Sequence, residues 1–140
     1  MELEINLHPI LVHFPIALFV SSLGLEIASL IFRREALHKT AVHIYILATF
    51  LAPLAVLTGL HEADEMHLHH PVLTLHKNFA LSTMIGSILS LPVLWFFHQY
   101  QPKIFRIIFF VFLALAAGCV ALAGYNGGRM VYEFGVGVAH

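Results

Sequence analysis

The chain has 140 residues, of which 59% are hydrophobic and only 11% are charged, and its mean hydropathy is +0.86. Because a soluble domain contains about 45 to 50% apolar and about 25% charged residues, this composition excludes a water-soluble protein and indicates one surrounded by lipid. The net charge of −1 excludes a nucleic-acid partner, and the single cysteine, Cys119, excludes an internal disulfide.

Four long apolar stretches separate the charged residues. They cover residues 9–32, 40–60, 78–97 and 104–125. Each is close to the roughly 20 residues that a helix needs to cross about 30 Å of hydrocarbon, and the only charged residues within them are Glu26 and Arg106. The stretches are continuously apolar and lack the alternation of a membrane β-barrel. The sequence therefore predicts an all-α, integral membrane four-helix bundle with a single domain.

The lysines and arginines that flank these spans predict the orientation. Five of them lie beside the first and third connections, and they are Arg33, Arg34, Lys39, Lys103 and Arg106. Only Lys77 and Arg129 lie on the opposite side. By the positive-inside rule, the first and third connections face the cytoplasm of a bacterial inner membrane. Both termini and the loop over residues 61–77 are then outside, in the periplasm.

The chain contains eleven histidines, and most of them belong to the predicted outer side. These are His8, His13, His61, His67, His69, His70, His76 and His140. The histidines of the loop between the second and third spans are most simply explained as solvated residues. His13 and His76 differ from them because both lie within predicted helices.

An internal repeat relates the two halves of the chain. Residues 8–13 are His-Pro-Ile-Leu-Val-His, and residues 70–76 are His-Pro-Val-Leu-Thr-Leu-His. Proline is favoured at the first helical position, so each His-Pro pair predicts a helix cap followed by a helix start. The second and fourth spans also end alike, at residues 57–60 and 122–125. The repeat predicts two helical hairpins related by a pseudo-twofold axis along the membrane normal, with the first and third helices on diagonal corners.

Two histidines at equivalent positions on diagonal helices are suited to bind a haem iron, which takes one nitrogen ligand on each face. We therefore expect His13 and His76 to be the axial ligands of a b-type haem. His61, His8 and His70 are further cofactor-binding candidates at the same side of the membrane. The alanines and glycines of residues 114–124 would provide room for a flat ligand. The alternative for His13 is a core histidine that is hydrogen-bonded to a neighbouring helix.

A second candidate site lies on the predicted cytoplasmic side. Helical periodicity brings His43 and His98 towards each other, and Glu26 is an acid within the first span, with His43 as its candidate partner. Such a group of side chains could transfer protons to a quinone. The alternative is that Glu26 reaches the membrane surface or is hydrogen-bonded by serines.

Two segments of the chain carry a resemblance to a known family. Residues 7–18 contain the His-Pro-Ile-Leu-Val-His-Phe-Pro motif, and residues 124–138 end in Phe-Gly-Val-Gly-Val. Together they resemble a domain-of-unknown-function family of bacterial four-span membrane proteins, and the resemblance covers nearly the whole chain. Some members are fused to c-type cytochrome modules, which implies respiratory electron transfer and a c-type cytochrome as a partner. The family commonly has a histidine where this chain has Phe134, so the resemblance provides no ligand from the tail.

The tail over residues 126–140 is rich in glycine and carries aromatic and aliphatic side chains. We expect it to lie outside the membrane and to fold back as a lid over the outer end of the bundle, or to dock on a neighbouring subunit.

The expected function is electron transfer between a quinol or redox subunit and a periplasmic acceptor, because two axial histidines leave no vacant position for oxygen chemistry. The protein would be an electron carrier or a subunit of an oxidoreductase complex rather than an enzyme by itself. Its small size predicts association with itself or with a larger respiratory membrane complex.

Two alternatives remain open. The first is a protein that binds or carries a divalent metal ion, because imidazole and carboxylate groups suit zinc, nickel or copper. Its ligands would come from His61, Glu62, Asp64, Glu65, His67, His69 and His70. The second alternative is a structural subunit of a membrane complex that binds no ligand.

Overall fold

The structure, a computed structural model, describes residues 7–65 and 70–135. Four helices account for nearly all of these residues: α1 (Leu7–Phe32), α2 (Glu35–Glu65), α3 (Pro71–Tyr100) and α4 (Pro102–Tyr132). No strand occurs in these two stretches. Each helix is long and apolar enough to cross a membrane. The predicted all-α, four-span architecture is thus confirmed.

The outer surface of the bundle is suited to lipid. Every helix presents large apolar side chains to the outside, for example Ile31 of α1, Phe50 of α2, Leu89 of α3 and Leu115 of α4, which are between 62% and 69% exposed. In water so much exposed apolar surface would drive aggregation, whereas in a bilayer it contacts acyl chains at no cost. The helical backbone satisfies its own hydrogen bonds, as a membrane span requires.

The helices pack as two hairpins. α1 packs mainly against α2, and α3 packs mainly against α4, while the α1–α4 and α2–α3 interfaces between the hairpins are smaller. α1 and α3 therefore lie on diagonal corners, as the internal repeat predicts. Two small interfaces between two well-packed hairpins leave the seam between the hairpins as the natural place for a cavity.

An aromatic cluster fills the middle of the bundle. Tyr45 of α2 lies edge-on to Phe19 of α1 and to Phe109 of α4, with both pairs of ring centroids 5.5 Å apart. The Tyr45 hydroxyl is hydrogen-bonded to Ser90 of α3 at 2.8 Å. This one side chain therefore contacts all three other helices.

The two His-Pro pairs differ in their structural roles. His70 is the N-cap of α3, where its Nδ1 accepts a hydrogen bond from the backbone N–H of Val72 at 3.2 Å, and Pro71 begins the helix. This matches the expected capping arrangement. In contrast, α1 begins at Leu7, so His8 lies inside the helix and its ring is available for other contacts.

The tail differs from its predicted structure. α4 continues through residues 126–132, where we expected a tail that folds back over the bundle or docks on a neighbouring subunit. The buried Asn126 side chain donates to the Leu122 carbonyl at 2.8 Å. At the end of the helix, Arg129 forms an ion pair with Glu133 at 2.9 Å. Gly127 and Gly128 therefore belong to a helix that lines the cavity, and Gly135 lies beyond its end. Residues 136–140 lie outside the described residues.

Candidate functional site

A cavity of about 590 Å³ lies where α1 and α3 begin and α2 and α4 end. We call this side of the bundle the His8 end, and the side where the helices of each hairpin are joined the Glu26 end. All four helices contribute to the cavity wall, which is mostly apolar. The ionisable side chains in the wall include His8, His13, Glu62, His76 and Lys77. The cavity therefore combines a hydrophobic body with a few nitrogen and oxygen groups, as ligand sites usually do.

Small residues of two helices make the room for this cavity. On α2 they are Ala52, Ala55, Gly59 and Ala63, and on α4 they are Ala123, Gly124, Gly127 and Gly128. Of the small residues predicted to do this within 114–124, only Ala123 and Gly124 line the cavity. The others in the wall come mostly from α2 and from the part of α4 that was expected to be a lid, together with Ala80 of α3.

His8 projects from α1 towards α2, and its ring is fixed there by a hydroxyl and a glycine. The Thr58 hydroxyl donates its proton to the backbone carbonyls of Leu54 and Ala55, so its oxygen accepts a hydrogen bond from His8 Nδ1 at 3.1 Å. A Cβ on Gly59 would lie 2.5 Å from the His8 ring, so only glycine permits this position. Because Nδ1 carries the proton, Nε2 of the neutral ring keeps its lone pair.

His76 is held in a comparable way between α3 and α4. Its Nδ1 donates to the Ala123 carbonyl at 2.8 Å, and a carbonyl can only accept. The ring lies 3.3 Å from the place where a Cβ of Gly127 would be, so glycine again makes the approach possible. Nε2 of the neutral His76 ring is therefore also an unprotonated nitrogen.

The two rings lie close together, although they come from different hairpins. The ring centroids of His8 and His76 are 6.4 Å apart and the ring planes are inclined at 89°. Each ring is supported by the second helix of its own hairpin, through Thr58 and Gly59 in one case and Ala123 and Gly127 in the other. Two histidines that are not equivalent in the sequence repeat thus meet at one cavity.

His13 does not occupy the position that the repeat assigns to it. Its ring is exposed, and Nδ1 donates to the Pro9 carbonyl of its own helix. By helical periodicity, His13 lies about 120° around α1 from the buried Phe19, whereas His8 lies within about 20° of it. The histidine beside His76 is therefore His8, although His13 also borders the cavity.

The remaining outer histidines are placed away from the centre of the cavity. His61 is exposed on α2, about half a turn around the helix from the buried Ala52. His70 is half-buried, and its ring packs against Phe134 with the centroids 4.2 Å apart. Phe134 thus contacts one of the outer histidines.

The expected metal-binding loop receives no support from the described side chains. Within that set, no group of three or more histidine, cysteine, aspartate or glutamate residues is arranged to hold a metal ion. His67, His69, His140 and the side chain of Glu65 lie outside the described part of the chain. His61 and Glu62 both make contacts with other residues.

At the Glu26 end, the predicted intramembrane acid is fully buried and belongs to an ionic network. Glu26 accepts hydrogen bonds from His38 Nδ1 at 2.6 Å and from Arg106 Nε at 3.0 Å. Arg106 also donates to the Ser29 hydroxyl at 2.5 Å, and this hydroxyl donates to the Glu26 backbone carbonyl at 2.6 Å. The network joins α1, α2 and α4. Every polar group in it has a partner, which indicates a structural connection between the helices.

The partner of Glu26 is thus His38 and not His43. His43 and His98 are both exposed, and His98 packs edge-on against Phe105 with ring centroids 5.1 Å apart. The structure therefore joins Glu26 to two residues, His38 and Arg106, that we had not paired with it from the sequence. Ser29 donates to the Glu26 backbone carbonyl and not to its carboxylate, so the alternative of an acid hydrogen-bonded by serines does not describe this site.

Helical periodicity along α1 could have indicated that His8 faces the inside of the bundle. His8 lies eleven residues before Phe19 and eighteen before Glu26, so all three lie within about 20° of one stripe of α1. The roles of Thr58 and Gly127 had no comparable signal, because a supporting hydroxyl or a missing Cβ matters only beside a particular ring.

Comparison with known proteins identifies a family of membrane proteins. No curated protein and no solved structure matches the chain. The sequence model of the family described as Predicted membrane protein (DUF2231) matches residues 4–140, nearly the whole chain, and the protein therefore belongs to this family of membrane proteins.

Proposed function

We propose that this membrane protein binds a b-type haem through His8 and His76 and carries electrons. The observation that carries the proposal is the pair of imidazoles from opposite hairpins in one apolar cavity, each with its Nδ1 proton committed to an acceptor. Histidines that bind metals almost always donate their other ring nitrogen in this way, because the second hydrogen bond fixes the tautomer and the ring orientation.

The residues fit a haem in spacing and in number. A nitrogen ligand lies about 2 Å from a metal ion and roughly 1 Å from the centre of its own ring, so two imidazoles on opposite sides of one ion have centroids about 6 Å apart. The centroids of His8 and His76 are 6.4 Å apart. A porphyrin iron needs at most two protein ligands, so a pair of histidines is a complete set. The volume of the cavity is within the range of ligand sites, about 300 to 1,000 Å³.

When bound, a haem supplies a one-electron redox couple. The chain's own residues position and shield that group. Thr58 and the Ala123 carbonyl hold the two imidazoles in their tautomers, and the alanines, glycines and aliphatic side chains of the wall surround the ligand with apolar groups. Two protein ligands, His8 and His76, would hold the iron, and a haem held in this way would supply electron transfer.

We further propose that the His8 end faces the periplasm of a bacterial inner membrane. Arg33, Arg34 and Lys39 are exposed at the Glu26 end, and such residues favour the cytoplasmic side. A haem at the His8 end would then lie near the outer surface. Its electron donor would be a membrane quinol or a redox subunit, and its acceptor a periplasmic protein such as a c-type cytochrome, within a homo-oligomer or a larger respiratory complex.

An absorption spectrum of the purified protein tests the proposal. Protein produced in a haem-replete host, or reconstituted in detergent with haem b, is expected to be red and to show sharp α and β bands after reduction with dithionite. Zinc binding to the same preparation, measured by calorimetry, provides the comparison. A protein that stays colourless after reconstitution, or that binds zinc through its outer loop instead, would contradict haem binding.

Replacing Gly59 with alanine is expected to weaken haem binding by about 10- to 100-fold, the usual effect of disturbing a residue that orients a metal ligand. The new Cβ would lie 2.5 Å from the His8 ring and 3.0 Å from each ring nitrogen, so the ring must move away from Thr58. Haem titration in detergent measures the affinity. Gly118→Ala is the matched control, because no atom lies within 4 Å of the new Cβ. Equal affinities of the two variants would show that the position of His8 does not matter.

A further inference from the structure

The charges in the cavity wall are unevenly distributed. Glu62 of α2 lies close enough to His8 to interact with it electrostatically. Lys77 of α3 directly follows His76, is half-buried and forms part of the wall. Among the lining residues that the structure describes, Lys77 is the one lysine or arginine. A negatively charged group of a ligand would thus meet the amino group of Lys77 beside His76 and the carboxyl group of Glu62 near His8.

The other cations of the described residues are engaged or distant. Arg129, near the end of α4, is ion-paired with Glu133, with Nη2 and Oε2 2.9 Å apart. Arg106 belongs to the Glu26 network at the opposite end of the bundle. Arg33, Arg34 and Lys39 are exposed at that same end. Lys77 is therefore the cation that can reach a ligand in the cavity.

We propose that Lys77 binds a carboxylate of the cavity ligand and so determines which edge of a flat ligand faces the α3 side. The inference rests on the proposed haem function, because haem b is a flat ligand with two carboxylates on one edge. A carboxylate in an apolar wall is strongly disfavoured unless it is paired. The lysine stem can pack along the wall while its ammonium group remains at the carboxylate. Lys77 is thus a positioning residue that recognises the acid groups of the cofactor.

The test compares haem b with its dimethyl ester, in which both carboxylates are blocked. Both are titrated into detergent-solubilised protein without haem, and the binding that is lost in His76→Ala is counted as specific. Wild-type protein is expected to bind haem b about tenfold more tightly than the ester, the effect of one hydrogen bond to a charged group. In Lys77→Gln this preference should fall to less than about twofold, while the ester itself binds as in the wild type. Lys77→Arg should retain the preference.

Lys39→Gln is the matched control, since it removes a lysine at the opposite end of the bundle and should leave the preference unchanged. Circular dichroism of each variant establishes that the helices are intact. If the wild type bound both forms equally, or if Lys77→Gln kept the preference, the role of Lys77 would be disproved while haem binding still stood. If neither form bound specifically, the haem function itself would fail, and this inference with it.

Discussion

Replacing His76 with alanine is expected to abolish the low-spin spectrum of the reduced haem, and replacing His8 should do the same. Each variant removes one of the two imidazoles that are proposed to hold the iron, His8 or His76. The remaining imidazole can supply only one of the two ligands. Reduced-minus-oxidised spectra of the purified variants, at equal protein concentration, measure the effect. We expect less than about a tenth of the wild-type signal, because losing even an orienting partner of a metal ligand typically costs 10- to 100-fold.

His13→Ala is the discriminating control for this experiment. His13 borders the cavity and lies on the same helix as His8, but its ring is exposed and is hydrogen-bonded to its own helix. Its replacement should leave the spectrum essentially unchanged. The opposite result, with His13 needed and His8 dispensable, would support the pairing predicted from the sequence repeat and would contradict the one found in the structure.

Replacing Glu26 with alanine is expected to destabilise the protein by about 3 kcal/mol, near the lower end of the range for breaking a buried ion pair. The loss leaves the buried His38 and the guanidinium of Arg106 without their common acceptor. Arg106 is 32% exposed and can recover part of the loss from water or headgroups, which is why the expected cost is not larger. Unfolding by SDS in mixed micelles, followed by circular dichroism, measures the free energy of unfolding.

Glu35→Ala provides the control at the same end of the bundle. Glu35 is 63% exposed and lies 4.0 Å from Arg106, so its removal should change the free energy of unfolding by less than about 0.5 kcal/mol. Glu26→Gln retains the shape and one acceptor oxygen, and should have an intermediate effect. An unfolding free energy of Glu26→Ala within error of the wild type would show that the network does not hold α1, α2 and α4 together.

The Glu26 variants also separate the two ends of the bundle. Glu26 is eighteen residues from His8 along α1, which corresponds to about 27 Å of helix. The haem spectrum of Glu26→Gln should therefore remain unchanged in protein that is still folded. A proton path between the two sites would require a connection past the aromatic cluster around Tyr45.

The fold could be predicted because its main constraint is local. In hydrocarbon the backbone must satisfy its own hydrogen bonds, so four apolar stretches of about 20 residues become four helices. The repeat of His-Pro at positions 8 and 70 gave the diagonal placement of α1 and α3. The extension of α4 to Tyr132 was not predicted, because the glycines at 127 and 128 are typical of irregular chain. They are tolerated in the helix where Gly127 makes room for the ring of His76.

The candidate site was predicted only in part. His76 was identified, but its partner was taken to be His13, since the repeat aligns the second histidine of each half. His13 is exposed and lies about 120° around α1 from the buried Phe19, whereas His8 lies within about 20° of it. The ring that reaches His76 therefore belongs to His8.

The amino-acid sequence by itself determined that the chain lies in a membrane, how many times it crosses and which ends carry the histidines, since each of these follows from hydropathy summed along a single segment. Only the tertiary structure decided that His8 meets His76 and that Glu26 meets His38 and Arg106. These contacts depend on how far each helix is rotated about its axis and on which neighbours lack a Cβ. Such rotations are fixed by packing between helices and not by the sequence of any one of them.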